Sequence, residues 1–188
     1  MKVYLAGPDV FLLDARAIGE RQKAICAKYG IAGHFPLDAA LDIVGFAPVD
    51  AARAIFLANI AAIDSADALI ANMTPFRGPG MDGGSAFEMG YASAKGLPIF
   101  AYTSDPRTYL GRARAAGLVT RVDEQGKSRD AAGLEVEDFG LIDNLMLACA
   151  TSDIAKPMIW RGGAANPGLD ASLAMFESAV QAAARAFR

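Results

Sequence analysis

The sequence predicts a doubly wound α/β domain, a mostly parallel five-stranded sheet flanked by helices. Short apolar runs alternate with longer segments of helical character, the order that βαβ units produce. The runs that read as strands, Ala68-Leu69-Ile70-Ala71 above all, are apolar throughout, as suits a parallel strand covered on both faces. Glycine and proline punctuate the boundaries, as at Gly7-Pro8, Gly30 and Gly96. The chain, residues 1–188, reads as a single domain of a length that can bury a proper core.

The elements follow in order. Val3 to Ala6 is an apolar strand stopped by Gly7-Pro8. Leu12 to Tyr29 reads as a helix closed by Gly30, a good residue just past a helix end. Ile31 to Leu37 is a second strand, and Asp38 to Pro48 an apolar loop able to cover a site. Asp50 to Asp64, rich in Ala, Ile and Leu, is a helix with Asp50 as N-cap. Asp67 to Asn72 is a third strand, and Met73 to Gly84 a loop dense in glycine and proline. Ser85 to Lys95 is a helix ending at Gly96, followed by a strand over Leu97 to Tyr102. Thr103 to Phe139 is a polar excursion or short hairpin, and Leu141 to Ala150 a short helix. Met158-Ile159-Trp160 is a last strand and Ala171 to Phe187 a terminal helix. Right-handed crossovers would place ligands outside the carboxyl ends of the strands. Three loops fall there: Gly7 to Phe11, Asp38 onward, and Thr74 to Gly84.

Hydrophobic residues make up 53% and charged residues 21%, which argues against disorder. The net charge is −3, with no run of Lys or Arg, so a nucleic-acid backbone is not the expected partner. No apolar run approaches the ~20 residues that span a bilayer, and none follows Lys2 as a signal peptide requires. The expectation is a cytoplasmic protein that does not engage a membrane. Cys26 and Cys149 lie in apolar helical stretches and are expected to be buried free thiols. His34 is the only histidine, so no His-based triad or His-rich metal site is expected. Asp64 and Asp67 read as residues that cap or end elements, and Lys156 and Arg161 as surface charge.

The chemistry concentrates around the third βα unit. A glycine-rich loop leading into a helix N-terminus presents free N–H groups and a dipole that favour anions. One reading is a phosphate cradle. Yet neither a P-loop nor a dinucleotide fingerprint is present, and Asp82 in the loop would repel a phosphate. A neutral polar ligand fits better, although Arg77 could touch a ligand from the same loop. Glu88, in about the first turn of the helix, is either a dipole-stabilised surface residue or a carboxylate aimed into the crevice. Asp82 lies six residues upstream across a turn, so both carboxylates could face one pocket. Paired carboxylates around a sugar suit glycosyl chemistry.

The run Asp82-Gly83-Gly84-Ser85-Ala86-Phe87-Glu88-Met89-Gly90-Tyr91-Ala92, followed by Gly96-Leu97-Pro98, resembles the core motif of the nucleoside 2-deoxyribosyltransferase family. Val3 to Phe11 resembles that family's first strand and loop, and Asn59 to Asn72 its segment before the glycine loop. Glu137-Asp138-Phe139-Gly140 with Asn144-Leu145-Met146 resembles its distal motif. The resemblance spans most of residues 2 to 150, in the right order, and implies a flavodoxin- or Rossmann-like sheet.

It also implies a ping-pong transfer of 2-deoxyribose between nucleobases. Glu88 would be the nucleophile, forming a covalent deoxyribosyl-enzyme with no metal or organic cofactor. Tyr4 would hold Glu88 through its hydroxyl, and Asp82 would accept a hydrogen bond from the sugar, the 5′-hydroxyl especially. Asn144 would enter the site of a neighbouring subunit, so a homodimer or higher assembly with shared sites is implied. Phe11 would stack on the base; packing in the core is its alternative. The partners are deoxynucleosides and free bases. Where some members carry an aspartate that exchanges protons with the base, this chain has Asn59, and an amide cannot be a general acid at neutral pH. Protonation of the leaving base would then fall to Asp9, Asp38 or water, with Gly7 and Asp38 among the substrate-facing positions. Two alternatives share the scaffold: a glycosidase cutting deoxynucleoside 5′-monophosphates with water, and a non-catalytic nucleoside-binding module.

Overall fold

In the computed structural model, residues 1–152, 158–159 and 169–187 are described. Trp160, Lys156 and Arg161 therefore lie outside the described residues. The elements are β1 (Lys2–Ala6), a 3-10 turn (Pro8–Phe11), α1 (Ala15–Lys28), β2 (Ala32–His34), a second 3-10 turn (Pro36–Asp38) and α2 (Pro48–Asp64). Then come β3 (Ala68–Asn72), α3 (Gly83–Ala94), β4 (Ile99–Thr103), α4 (Tyr109–Ala115), β5 (Arg121–Val122) and β6 (Ser128–Arg129). Last are α5 (Leu145–Cys149), β7 (Met158–Ile159) and α6 (Leu169–Ala186).

The sheet runs β2-β1-β3-β4-β7 with every neighbour parallel, so the doubly wound α/β architecture stands. Four strands carry it. The fifth, β7, is two residues at one edge, so the expected count of five overstates the sheet. The chain leaves β1 toward β2 on one side and returns through β3 on the other. That reversal makes the carboxyl ends of β1 and β3 a topological switch point, where such sheets open a crevice.

Side chains alternate across the strands and build two cores. Val3, Leu5 and Ile70 pack with Cys26, Phe35 and Phe176 under α1 and α6. Tyr4, Leu69 and Ala71 pack with Ile63, Met89 and Ile99 under α2 and α3. Gly30 and Gly96 close α1 and α3 at positive φ (71° and 72°), a conformation that strains any residue with a Cβ.

Several boundaries differ from expectation. The second strand is shorter than Ile31 to Leu37, because Pro36 lacks an N–H and opens a 3-10 turn instead. Helix α2 begins at Pro48 behind Ala47, which leaves Asp50 inside the first turn rather than at the N-cap. Helix α3 begins at Gly83, so Glu88 sits in its second turn, beyond the reach of a simple first-turn dipole account. The polar excursion contains α4 as well as the short antiparallel hairpin β5–β6. Cys26 is buried as expected; Cys149 is exposed, because it ends the short α5 on its outer side. No helix among the described residues is long and apolar enough to cross a membrane.

Candidate active site

The geometry centres on a contact between residues 84 positions apart: the Tyr4 hydroxyl donates to Glu88 Oε1 at 2.6 Å. Tyr4 reaches it because β1 is central and Tyr4 faces the α2–α3 side, fully buried between its neighbours on β2 and β3. His34, its partner on β2, stacks on its ring with centroids 6.1 Å apart. Asn59 Nδ2, from α2, also points to Glu88 Oε1 at 3.4 Å, the outer limit of a hydrogen bond. Burial pushes the Glu88 carboxyl up to about 7; the Tyr4 hydrogen bond opposes this and the Asp82 charge adds to it. Burial likewise holds the Tyr4 hydroxyl far above its ordinary range, so it acts as a donor.

Asp82 is the N-cap of α3. Its Oδ2 accepts from the Ser85 N–H (2.8 Å) and the Ser85 hydroxyl (3.0 Å), while Oδ1 accepts no hydrogen bond from the described residues. Gly83 and Gly84 form the first turn of the helix and not a flexible loop. A carboxylate held on one oxygen leaves the other for a ligand's hydroxyl.

A second group gathers at the switch point. Gly7 passes so close to β3 that a Cβ there would lie 2.7 Å from Asn72 Cβ. Asn72, the last residue of β3, donates from Nδ2 to Asp9 Oδ2 (2.9 Å) and accepts the Thr74 N–H on Oδ1 (3.1 Å). Burial raises the Asp9 carboxyl above its ordinary value, against hydrogen bonds from Asn72, Gln22 and Tyr102. Asp9, Phe11, Asn72, Thr74, Phe76 and Arg77 line a cavity of about 460 Å³. The Phe11 and Phe76 rings stack at 5.1 Å, and the Arg77 guanidinium lies 4.6 Å from the Phe76 centroid. Phe11 is thus a cavity wall, 57% exposed, and not a core residue.

Two candidates are committed elsewhere. Asp38 accepts Lys23 Nζ on Oδ1 (2.8 Å) and the Phe35 N–H on Oδ2 (2.9 Å), so both its oxygens serve the turn after β2. Asn144 caps α5 through the Met146 N–H at 3.0 Å and is exposed. Among the described residues no three metal-ligating side chains converge.

Sequence reasoning passed over Asn72 and Phe76. The signal for Asn72 was present: a polar residue at the carboxyl end of an otherwise apolar strand. Phe76 sits in a loop whose conformation the sequence does not fix.

The sequence profile of the family described as nucleoside 2-deoxyribosyltransferase matches residues 3–146. The chain belongs to that family. A Schizosaccharomyces pombe protein described as uncharacterized is 33% identical over 156 residues, 77% of this chain and 74% of that protein. Among solved structures, a 2-desoxiribosyltransferase from Leishmania mexicana is 30% identical, with a TM-score of 0.61 over 94% of this chain and 97% of that one. A CMP N-glycosidase from Clostridium botulinum is 20% identical and covers 55% of this chain and 69% of its own, with a TM-score of 0.35, too slight a likeness to bear on activity. Family membership and the Leishmania likeness support an enzyme of the deoxyribosyltransferase type.

Proposed function

We propose that the protein transfers 2-deoxyribose between nucleobases by double displacement through a covalent deoxyribosyl-Glu88 intermediate. The observation that carries this reading is the hydrogen bond from the buried Tyr4 to the partly buried Glu88. Oε1 is fixed by Tyr4, which leaves Oε2 as the attacking atom. Oε2 bonds to the anomeric carbon as the glycosidic C–N bond breaks, and the base leaves with the electron pair and takes a proton. A second base then attacks the same carbon with its nitrogen lone pair, releases the carboxylate and gives up its N–H proton, which restores the acid that protonated the first base. Two inversions give net retention. A partly buried carboxylate suits this work, because it stabilises the oxocarbenium-like charge of the transition state with less water to strip away.

The other residues take supporting roles in this reading. Asp82 Oδ1 accepts the sugar 5′-hydroxyl. Asn144, exposed on α5, completes the sugar contact in the site of a second subunit of a homo-oligomer. Phe11 presents its ring to the base, and the absent Cβ at Gly7 lets the loop after β1 pack against Asn72 and Asp9. Asn59 hydrogen-bonds but cannot protonate the leaving base. This reading gives that step to Asp9, which lines the cavity at the switch point beside Phe11; Asp38 serves the turn after β2 instead.

The test is incubation with 2′-deoxyinosine plus adenine, and separately with a deoxynucleoside 5′-monophosphate, with products separated by chromatography. New deoxyadenosine is the expected result. Free base from the monophosphate alone would replace the transferase with a glycosidase. Glu88→Ala is expected to abolish turnover, and a 2-fluoro-deoxynucleoside to add its sugar mass to the intact protein.

A further inference from the structure

Arg112 and Asp143 form an ion pair in which both side chains are 2% exposed, although neither touches Tyr4 or Glu88 in any described hydrogen bond. Burying two charges in this way costs more than it returns in stability unless hydrogen bonds take up most of their donors and acceptors. Here they are used to join separate segments. Arg112, on α4, donates Nε to the Pro79 carbonyl (2.6 Å), Nη1 to the Arg107 carbonyl (3.0 Å) and Nη2 to the Ile142 carbonyl. Asp143 Oδ2 accepts the Met81 N–H at 3.0 Å and Arg112 Nη2 at 3.3 Å, while Oδ1 accepts the Asn144 N–H at 2.8 Å. The pair thus grips Pro79 and Met81, just before Asp82, and Ile142 and Asn144 on the other side.

We propose that Arg112 and Asp143 are positioning residues: a buried strut that sets Asp82 and Asn144 in register for the substrate's 5′-hydroxyl. The inference rests on the sugar-binding roles given to those two residues above. The main chain at Met81 fixes the direction in which Asp82 leaves the loop, and the main chain at Asn144 fixes the start of α5. A guanidinium is the group suited to this, because its rigid fork reaches several carbonyls at once and a lysine ammonium does not. Each subunit then sets two contacts with one strut: its own sugar grip through Asp82, and the grip it lends through Asn144.

The test compares kcat/KM for a 2′-deoxynucleoside and its 2′,5′-dideoxy analogue in the full-length wild type and in Asp143→Asn. The wild type is expected to favour the 5′-hydroxyl on the order of 10–100-fold, the worth of a hydrogen bond to a charged group. In Asp143→Asn that preference is expected to fall to within about threefold, carried by KM and kcat for the hydroxylated substrate only. A variant that loses rate on both substrates in parallel, with the preference intact, overturns the strut and leaves only a structural pair. So does a wild type indifferent to the 5′-hydroxyl. Arg112→Lys, which keeps a charge opposite Asp143, gives the same readout if Asp143→Asn does not fold. A wild type that transfers no deoxyribose from any deoxynucleoside fails the proposed function itself, a result distinct from an active enzyme with an unchanged preference.

Discussion

Glu88 meets two demands that pull in opposite directions. Burial lifts its carboxyl to about 7, whereas attack on an anomeric carbon requires the ionised form. The rate of sugar transfer is therefore expected to rise with pH through about 7 in a profile of kcat/KM, and a rate flat between 5 and 8 would count against Glu88 as nucleophile. Tyr4 supplies the hydrogen bond that favours the ionised form. Tyr4→Phe should move this limb to higher pH and lower kcat/KM about 10–100-fold, the range for a hydrogen bond to a charged group. Asn59→Asp sets a second carboxylate where Nδ2 now lies 3.4 Å from Oε1. Like charge at that distance should push Glu88 up further, so a limb shifted to higher pH in that variant is the expected sign.

At the scale of elements, the start of α3 has two functions that one substitution can separate. Asp82 caps the helix through Oδ2 and offers Oδ1 to the sugar. Asparagine caps about as well as aspartate. Asp82→Asn should therefore hold the melting temperature while raising KM for the deoxynucleoside, whereas Asp82→Ala should lose both, with about 1 kcal/mol of stability gone. Loss of melting temperature in Asp82→Asn would show the charge to be structural. The central elements were legible in the sequence because their signals are local: β1 ends at Gly7-Pro8, β3 is an unbroken apolar run, and α1 and α3 stop at glycines. The start of α3 was harder to read, since Gly83 and Gly84 look like loop and only the Asp82 cap draws them into the helix. Helix α4 was missed because it is short and lies in a polar stretch, and one of its three buried residues, with Leu110 and Ala113, is the charged Arg112.

Across the whole molecule, the site was legible only in part. Residue types and spacing pointed to the glycine loop and its two carboxylates, but left Glu88 open between a surface residue and a crevice carboxylate until resemblance supplied the nucleophile's role. Tyr4 and Glu88 meet across 84 residues, a separation that no spacing rule connects. The same pair sets a global property. Folded Glu88 keeps its proton up to about 7, while an unfolded glutamate gives it up near 4.5. Folding thus takes up a proton between those values, and this group's contribution to stability falls as pH rises through that window. Glu88→Gln, which keeps an acceptor for Tyr4 without the charge, should raise the melting temperature at pH 8 and much less at pH 5. The gain at pH 8 should be on the order of 3 kcal/mol, since the carboxyl rises from 4.5 to about 7 and each unit is worth about 1.4 kcal/mol. Equal melting temperatures of variant and parent at pH 8 would rule out a burial cost at this position.

The hydrogen bonds from Arg112 and Asp143 bear also on how such a protein can be redesigned. In the sequence, the glycine-rich loop around residue 80 and the short helical segment around residue 143 look like independent pieces, about sixty residues apart. They share a single fastener. A graft of one without the other would leave a buried charge with half its partners, so the two stretches and the arginine between them have to be transplanted as one cassette.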